Sequence, residues 1–126
     1  MKALVLAAAI TFGASPITAP VRVVDGDTIK WNGESVRLLG IDTPELSKPK
    51  CAKELELAKA AKDAMILLLD PSQHPSLRFV GKRDKYGRKL VHAYSNHKPV
   101  AEIMISRGLA VAYFGRGPHK DWCNAR

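Results

Sequence analysis

Three short clusters in this chain bring together the residue types that phosphate chemistry needs. They are Asp25-Gly26-Asp27-Thr28, the run from Arg37 through Leu38-Leu39-Gly40-Ile41 to Asp42-Thr43-Pro44-Glu45, and Asp84-Lys85-Tyr86-Gly87-Arg88. Asp27 follows a glycine turn. Asp42 and Glu45 flank Thr43-Pro44, which bends the chain away from the strand before it. Two converging carboxylates, with carbonyl and water oxygens, form a hard-oxygen site suited to Ca²⁺. Like charges brought that close need a cation between them, or one must take a proton. Arg37 sits in an apolar run whose neighbours want burial, so its guanidinium is expected at a cleft wall. Arg88 follows a glycine turn and opens a strand. A phosphodiester transition state gathers charge on oxygen. It calls for a cation, planar guanidinium donors, and a carboxylate that orients or deprotonates water. Each cluster alone also has a plainer reading: turn chemistry for Asp25 and Asp27, solvated loop acids for Asp42 and Glu45, a surface arginine for Arg88. Their joint presence favours the chemistry.

These groups converge only if the fold carries them to one place. Residues 21–24, 28–31 and 35–39 read as three short strands joined by tight turns, with Asn32-Gly33 a strong hairpin signal. From Ala52 the pattern changes: Leu55, Ala58, Ala61, Met65 and Leu68 recur at helical spacing, and Asp70-Pro71 stops the run. Two further strands are expected over 77–80 and 88–94. A short helix over 100–107 ends at Gly108, and a last strand spans 109–114. A three-strand meander, a helix and two more strands match an OB-fold, a five-stranded barrel with helices of the α+β class. If its first and third strands are neighbours, Asp27 and Asp42 converge.

The whole chain bounds the reading. Its 126 residues make room for one domain, and its net charge of +8 attracts polyanions, nucleic acid first and an anionic membrane surface second. Lys2 followed by an apolar run over 3–10 resembles a signal peptide and is too short to span a bilayer. Residues 1–19 are read as that leader, with the cut unassigned because Pro16 and Pro20 follow the two candidate sites, and 20–126 as the mature domain. A retained anchor is the alternative. Export to the periplasm or outside the cell is expected, and the chain's two cysteines, Cys51 and Cys123, then suggest one disulfide rather than two unrelated thiols. The four histidines, including His119, show no zinc-ligand spacing. Nothing points to oligomerisation, and a monomer free of the membrane after leader removal is expected.

DGDT, RLLGIDTPE and DKYGR, in this order and spacing, closely resemble the staphylococcal nuclease family, and GLAVAY is similar to the family's late strand. The likeness runs over residues 21–114. It implies a five-stranded OB barrel and a calcium-dependent nuclease acting on DNA and RNA. It implies Ca²⁺ held by Asp27, Asp42 and the Thr43 carbonyl, with Glu45 reaching the metal through water and activating or orienting the attacking water. It implies Arg37 and Arg88 gripping the phosphate, and Lys85, Tyr86 and Tyr113 contacting the nucleotide. The products implied carry 3′-phosphates, and single strands are expected to be preferred. The chain departs from the family in three places. The loop over 46–53 is shorter and holds Cys51. Ala101 stands where a buried asparagine is usual. No C-terminal helix follows the late strand, and a Cys51–Cys123 bridge is expected to pin the tail in its place. The competing reading is a non-catalytic OB module that only binds single strands. Such a module would be expected to lose the acids or an arginine, and an aromatic content of 6% is thin for a pure stacking platform.

Overall fold

The computed structural model describes residues 13–124. The strands are β1 (Ser15–Pro16), β2 (Arg22–Asp25), β3 (Thr28–Trp31), β4 (Glu34–Leu38), β5 (Gly40–Asp42), β6 (Ser76–Arg83), β7 (Lys89–Ser95), β8 (Lys98–Pro99) and β9 (Val111–Tyr113). Helix α1 (Ala52–Leu68) separates β5 from β6, and α2 (Val100–Ser106) precedes β9. The main sheet runs β1-β6-β7-β4-β3-β2, with β8 on β7, while β5 and β9 form a second small sheet. A β2–β3–β4 meander, a helix, then β6 and β7 with β7 parallel to β4 is the strand order of an OB-fold.

Local chemistry explains the elements. Asn32 and Gly33 both have positive φ, 52° and 78°, as a two-residue hairpin turn between Trp31 and Glu34 demands. In β4 and β7, Val36, Leu38, Val91 and Ala93 point into the core, so Arg37 and Leu90, which pair across the parallel seam, face outward. On α1 the buried stripe is Ala58, Ala61, Ala64, Met65 and Leu68, joined at the first turn by Glu54. Leu55, expected on that stripe, is only half-buried.

Two features differ from expectation. The first and third strands of the meander are not neighbours, because β3 lies between them. Asp27 still reaches the third strand. It sits in the β2–β3 turn, where its carbonyl accepts from the Leu38 amide at 2.8 Å. The third strand also does not run straight through to the acids. Gly40, at φ +91°, breaks it, and the continuation pairs with the late strand, Gly40 opposite Tyr113 and Asp42 opposite Val111.

Cys51 and Cys123 are bonded, fastening the tail to the N-cap of α1. The bridge links residues 72 positions apart, which restricts the unfolded chain. Cys123→Ser should therefore lower stability by about 4 kcal/mol in urea unfolding. A loss under about 1 kcal/mol would mean that the tail's cross-link does not constrain the unfolded ensemble.

Candidate active site

Asp27 is the hub of the acid cluster. Its Oδ2 accepts from the Thr43 amide at 3.3 Å and the Thr43 hydroxyl at 3.1 Å. The same oxygen lies 3.3 Å from Arg37 Nη1, and Arg37 Nη2 lies 3.9 Å from Asp42 Oδ1. The three side chains keep only 12–15% of their exposure, so this is an ion cluster held mostly out of water. Gly26 explains how the turn comes so close. A Cβ there would lie 2.9 Å from the side chains of Ala61 and Thr43, so only glycine lets the Asp25–Asp27 turn seat against α1 and Thr43.

Arg88 joins the cluster through Thr28. Its Nη1 donates to the Thr28 hydroxyl at 3.4 Å, which donates to Asp27 Oδ1 at 3.1 Å. Asp84 sets the direction of Arg88, accepting from Nε at 2.7 Å and from the Arg88 amide at 2.9 Å. Partial burial pushes the Asp84 carboxyl up, but the Arg88 amide and guanidinium and the Tyr86 amide together outweigh it and hold it below the usual range. A depressed folded pKa adds stability that is present above the unfolded pKa and lost as pH falls through the folded one. The stability gap between the protein and Asp84→Asn should thus shrink on acidification. It should be about 1–2 kcal/mol at neutral pH, since Asp84 accepts three hydrogen bonds and both side chains of the pair are largely covered, at 27% and 18% exposure. Urea midpoints across the acid range would show it, and a gap that widens on acidification would contradict it.

Two adjoining clefts flank the cluster. The larger, about 490 Å³, is lined by Arg37, Arg88, Lys85, Tyr86, Tyr113 and His119, among others. The Tyr86 ring lies 5.4 Å from the Arg88 guanidinium carbon. The smaller, about 220 Å³, is lined by Asp42, Thr43, Glu45, Glu54, His119 and Trp122, among others. Glu45 therefore shares the second cleft with Asp42 and Thr43 and does not line the first.

The carboxylates crowd one another. Burial, then the charge of Asp27, with a smaller push from Glu45, raises the Asp25 carboxyl to about 7. Among the described residues no three His, Cys, Asp or Glu side chains are gathered tightly enough to hold a metal by themselves. Between Asp27 and Asp42 lies the Arg37 guanidinium, within ion-pair distance of both. Two carboxylates, the Thr43 carbonyl and water are nonetheless the hard-oxygen set that Ca²⁺ takes.

Two positioning residues escape sequence reasoning. Glu54 is buried, and its carboxylate accepts from the Glu45 amide at 2.9 Å and the Lys50 amide at 2.8 Å. Cys51 Sγ accepts from the Glu54 amide at 3.4 Å, one half of a capping box, and the Glu54 carboxylate reaches past the N-cap to hold the Glu45 loop. The Cys51-x-x-Glu54 spacing at the helix start is the available signal. His119 approaches from the tail. Its Nδ1 is 3.0 Å from Asp42 Oδ2, and its ring stacks on Tyr113 at 4.7 Å. No local motif announces that approach.

Fold and site together define a class: OB barrels that bear a cleft of carboxylates and guanidinium groups at the end of the meander. The profile described as Staphylococcal nuclease homologue matches residues 35–124, and the chain belongs to that family. It is 41% identical over 97 residues to the SPbeta prophage-derived endonuclease YokF of Bacillus subtilis (strain 168), covering 73% of this chain and 33% of that protein. It is 39% identical over 97 residues to Endonuclease YncB of the same organism, covering 73% and 46%. With the Thermonuclease of Staphylococcus hyicus it shares 32% over 105 residues, covering 79% and 61%. The matched segment is thus 33–61% of the length of these relatives.

Proposed function

We propose that the protein is a Ca²⁺-dependent nuclease that hydrolyses phosphodiester bonds in DNA and RNA, prefers single strands and leaves 3′-phosphate ends. One observation carries the reading: Asp27, Arg37 and Asp42 form a single ion cluster at the edge of a cleft that Arg88 also lines. Asp27, Asp42 and the Thr43 carbonyl would hold the ion, with Glu45 reaching it through water. Bound there, it would supply Lewis-acid charge to a phosphate oxygen. Arg37 and Arg88 grip the phosphate and offset the charge it gains on attack. Glu45 orients the attacking water and accepts its proton. The new bond is from water oxygen to phosphorus, the bond to the 5′ oxygen breaks, and the departing oxygen takes a proton from solvent water, leaving a 5′-hydroxyl and a 3′-phosphate. No ribose hydroxyl takes part, so both nucleic acids serve. Lys85, Tyr86 and Tyr113 contact the nucleotide in the larger cleft.

The test is an assay of native DNA, heat-denatured DNA and RNA, with Ca²⁺ and with excess chelator, followed by end-group mapping. Cutting confined to the Ca²⁺ reactions, fastest on denatured DNA, is expected. Binding without cutting in Ca²⁺ would return the non-catalytic module.

Export belongs to the same proposal, supported by the Cys51–Cys123 bridge. The apolar leader core over 3–10 lies outside the described residues. Among the described residues, no helix is long and apolar enough to cross a membrane. Cutting after residue 19 would remove β1, which pairs with β6, and Ile17, which is 5% exposed in the core. Losing such a side chain costs about 2–4 kcal/mol. The exported protein should therefore retain Ile17, and an intact mass starting at Pro20 would contradict this.

A further inference from the structure

We propose that a second surface, the cleft opened by the bulge in β6, takes backbone phosphates of the same nucleic-acid strand beyond the nucleotide held at Arg37 and Arg88. The proposal rests on the nuclease reading and extends its substrate site.

The bulge makes the cleft. Phe79 pairs with Val91 and Arg83 with Lys89, so β6 spends four steps (79 to 83) where β7 spends two (91 to 89). The surplus residues bow outward and re-aim their side chains. They leave a space of about 310 Å³ lined by Phe79, Gly81, Lys82, Arg83, Lys89 and Leu90. Leu90 also lines the larger cleft that holds Arg37 and Arg88. The two spaces therefore adjoin across one side chain, and a flexible strand leaving the first runs into the second.

Its chemistry suits that strand. Lys82, Arg83 and Lys89 face a single carboxylate, Glu34, which pairs with Arg83 at 2.8 Å and Lys89 at 3.3 Å. Lys82 has no carboxylate partner among the described residues. Exposed pairs of this kind hold weakly, so a phosphate readily exchanges for Glu34. The half-buried Phe79 ring lies beneath, with the Lys89 ammonium 5.1 Å from its centre and Trp31 packed at 5.4 Å. A cationic wall over an aromatic floor is how single strands are held without regard to sequence.

The experiment measures binding of labelled single-stranded DNA of about 12 nucleotides, within the span of one OB barrel, and of a dinucleotide. It is run in excess chelator over a salt series. The double variant Lys82→Ala with Arg83→Ala should bind the longer strand more weakly. Its salt slope should be shallower by about 0.7 for each phosphate that is no longer neutralised. Its dinucleotide affinity should be unchanged. Glu34→Gln acts in the opposite sense and should bind the longer strand more tightly, which separates removal of a phosphate partner from damage to the fold. Equal slopes, or equal weakening on both lengths, would overturn the surface. Cleavage by the unaltered protein in Ca²⁺ is scored separately, so a failed nuclease reading leaves a different record from a failed surface.

Discussion

Arg37→Ala should lower kcat about a thousandfold, the scale expected when a donor aimed at developing charge is removed. Two effects combine. On the proposed reading the phosphate loses its guanidinium donor, and Asp27 and Asp42 lose the cation they share at 3.3 and 3.9 Å. Removing one partner of a cluster this sheltered costs about 3 kcal/mol of stability. Arg37→Lys separates the two effects. A lysine keeps a positive charge beside the acids and loses the planar fork. It should melt near the parent protein and still be slow. If Arg37→Lys turned over at the parental rate, the fork would have no part in catalysis, and Arg37 would be a structural counter-ion.

Glu45→Gln is the second large effect, a fall in kcat of about a hundredfold to ten-thousandfold, the range general-base removal produces. Here no structural cost is expected. The loop is held through backbone amides, Glu45 and Lys50 donating to Glu54, and neither bond uses the Glu45 side chain. The side chain is exposed at the mouth of the smaller cleft. Thermal unfolding should shift by no more than about 0.5 kcal/mol in stability. Binding of denatured DNA in chelator should be unchanged, because Arg37 and Arg88 remain. Near-parental turnover in Glu45→Gln would exclude this carboxylate as the base.

Much of the site is legible in the sequence because its parts are local. A glycine turn carrying Asp27, a Thr-Pro bend between Asp42 and Glu45, and a tight turn ahead of Arg88 each declare themselves within a few residues. The meander, the helix and the later strands are equally readable from period and turn chemistry. What stays hidden depends on distant partners. Ser15 and Pro16 have little strand character and pair only because the β6 edge is there to meet them. Glu54 looks like a solvated acid in a first helical turn until the Glu45 loop folds over it. His119 meets Asp42 from a tail that the disulfide fastens at its far end. The break at Gly40 is hidden for another reason. An apolar run reads as one strand, and only the positive φ shows that it turns to meet β9.

The parallel seam between β4 and β7 has a consequence for when the larger cleft is assembled. Arg37 pairs with Leu90, next but one to Arg88, across that seam. The two guanidinium groups are thus remote along the chain and become neighbours only when strands from either side of α1 have docked. Contacts between distant segments cost loop-closure entropy that local contacts do not. A chain whose β4 and β7 have not yet met therefore does not yet carry Arg37 and Arg88 on one face.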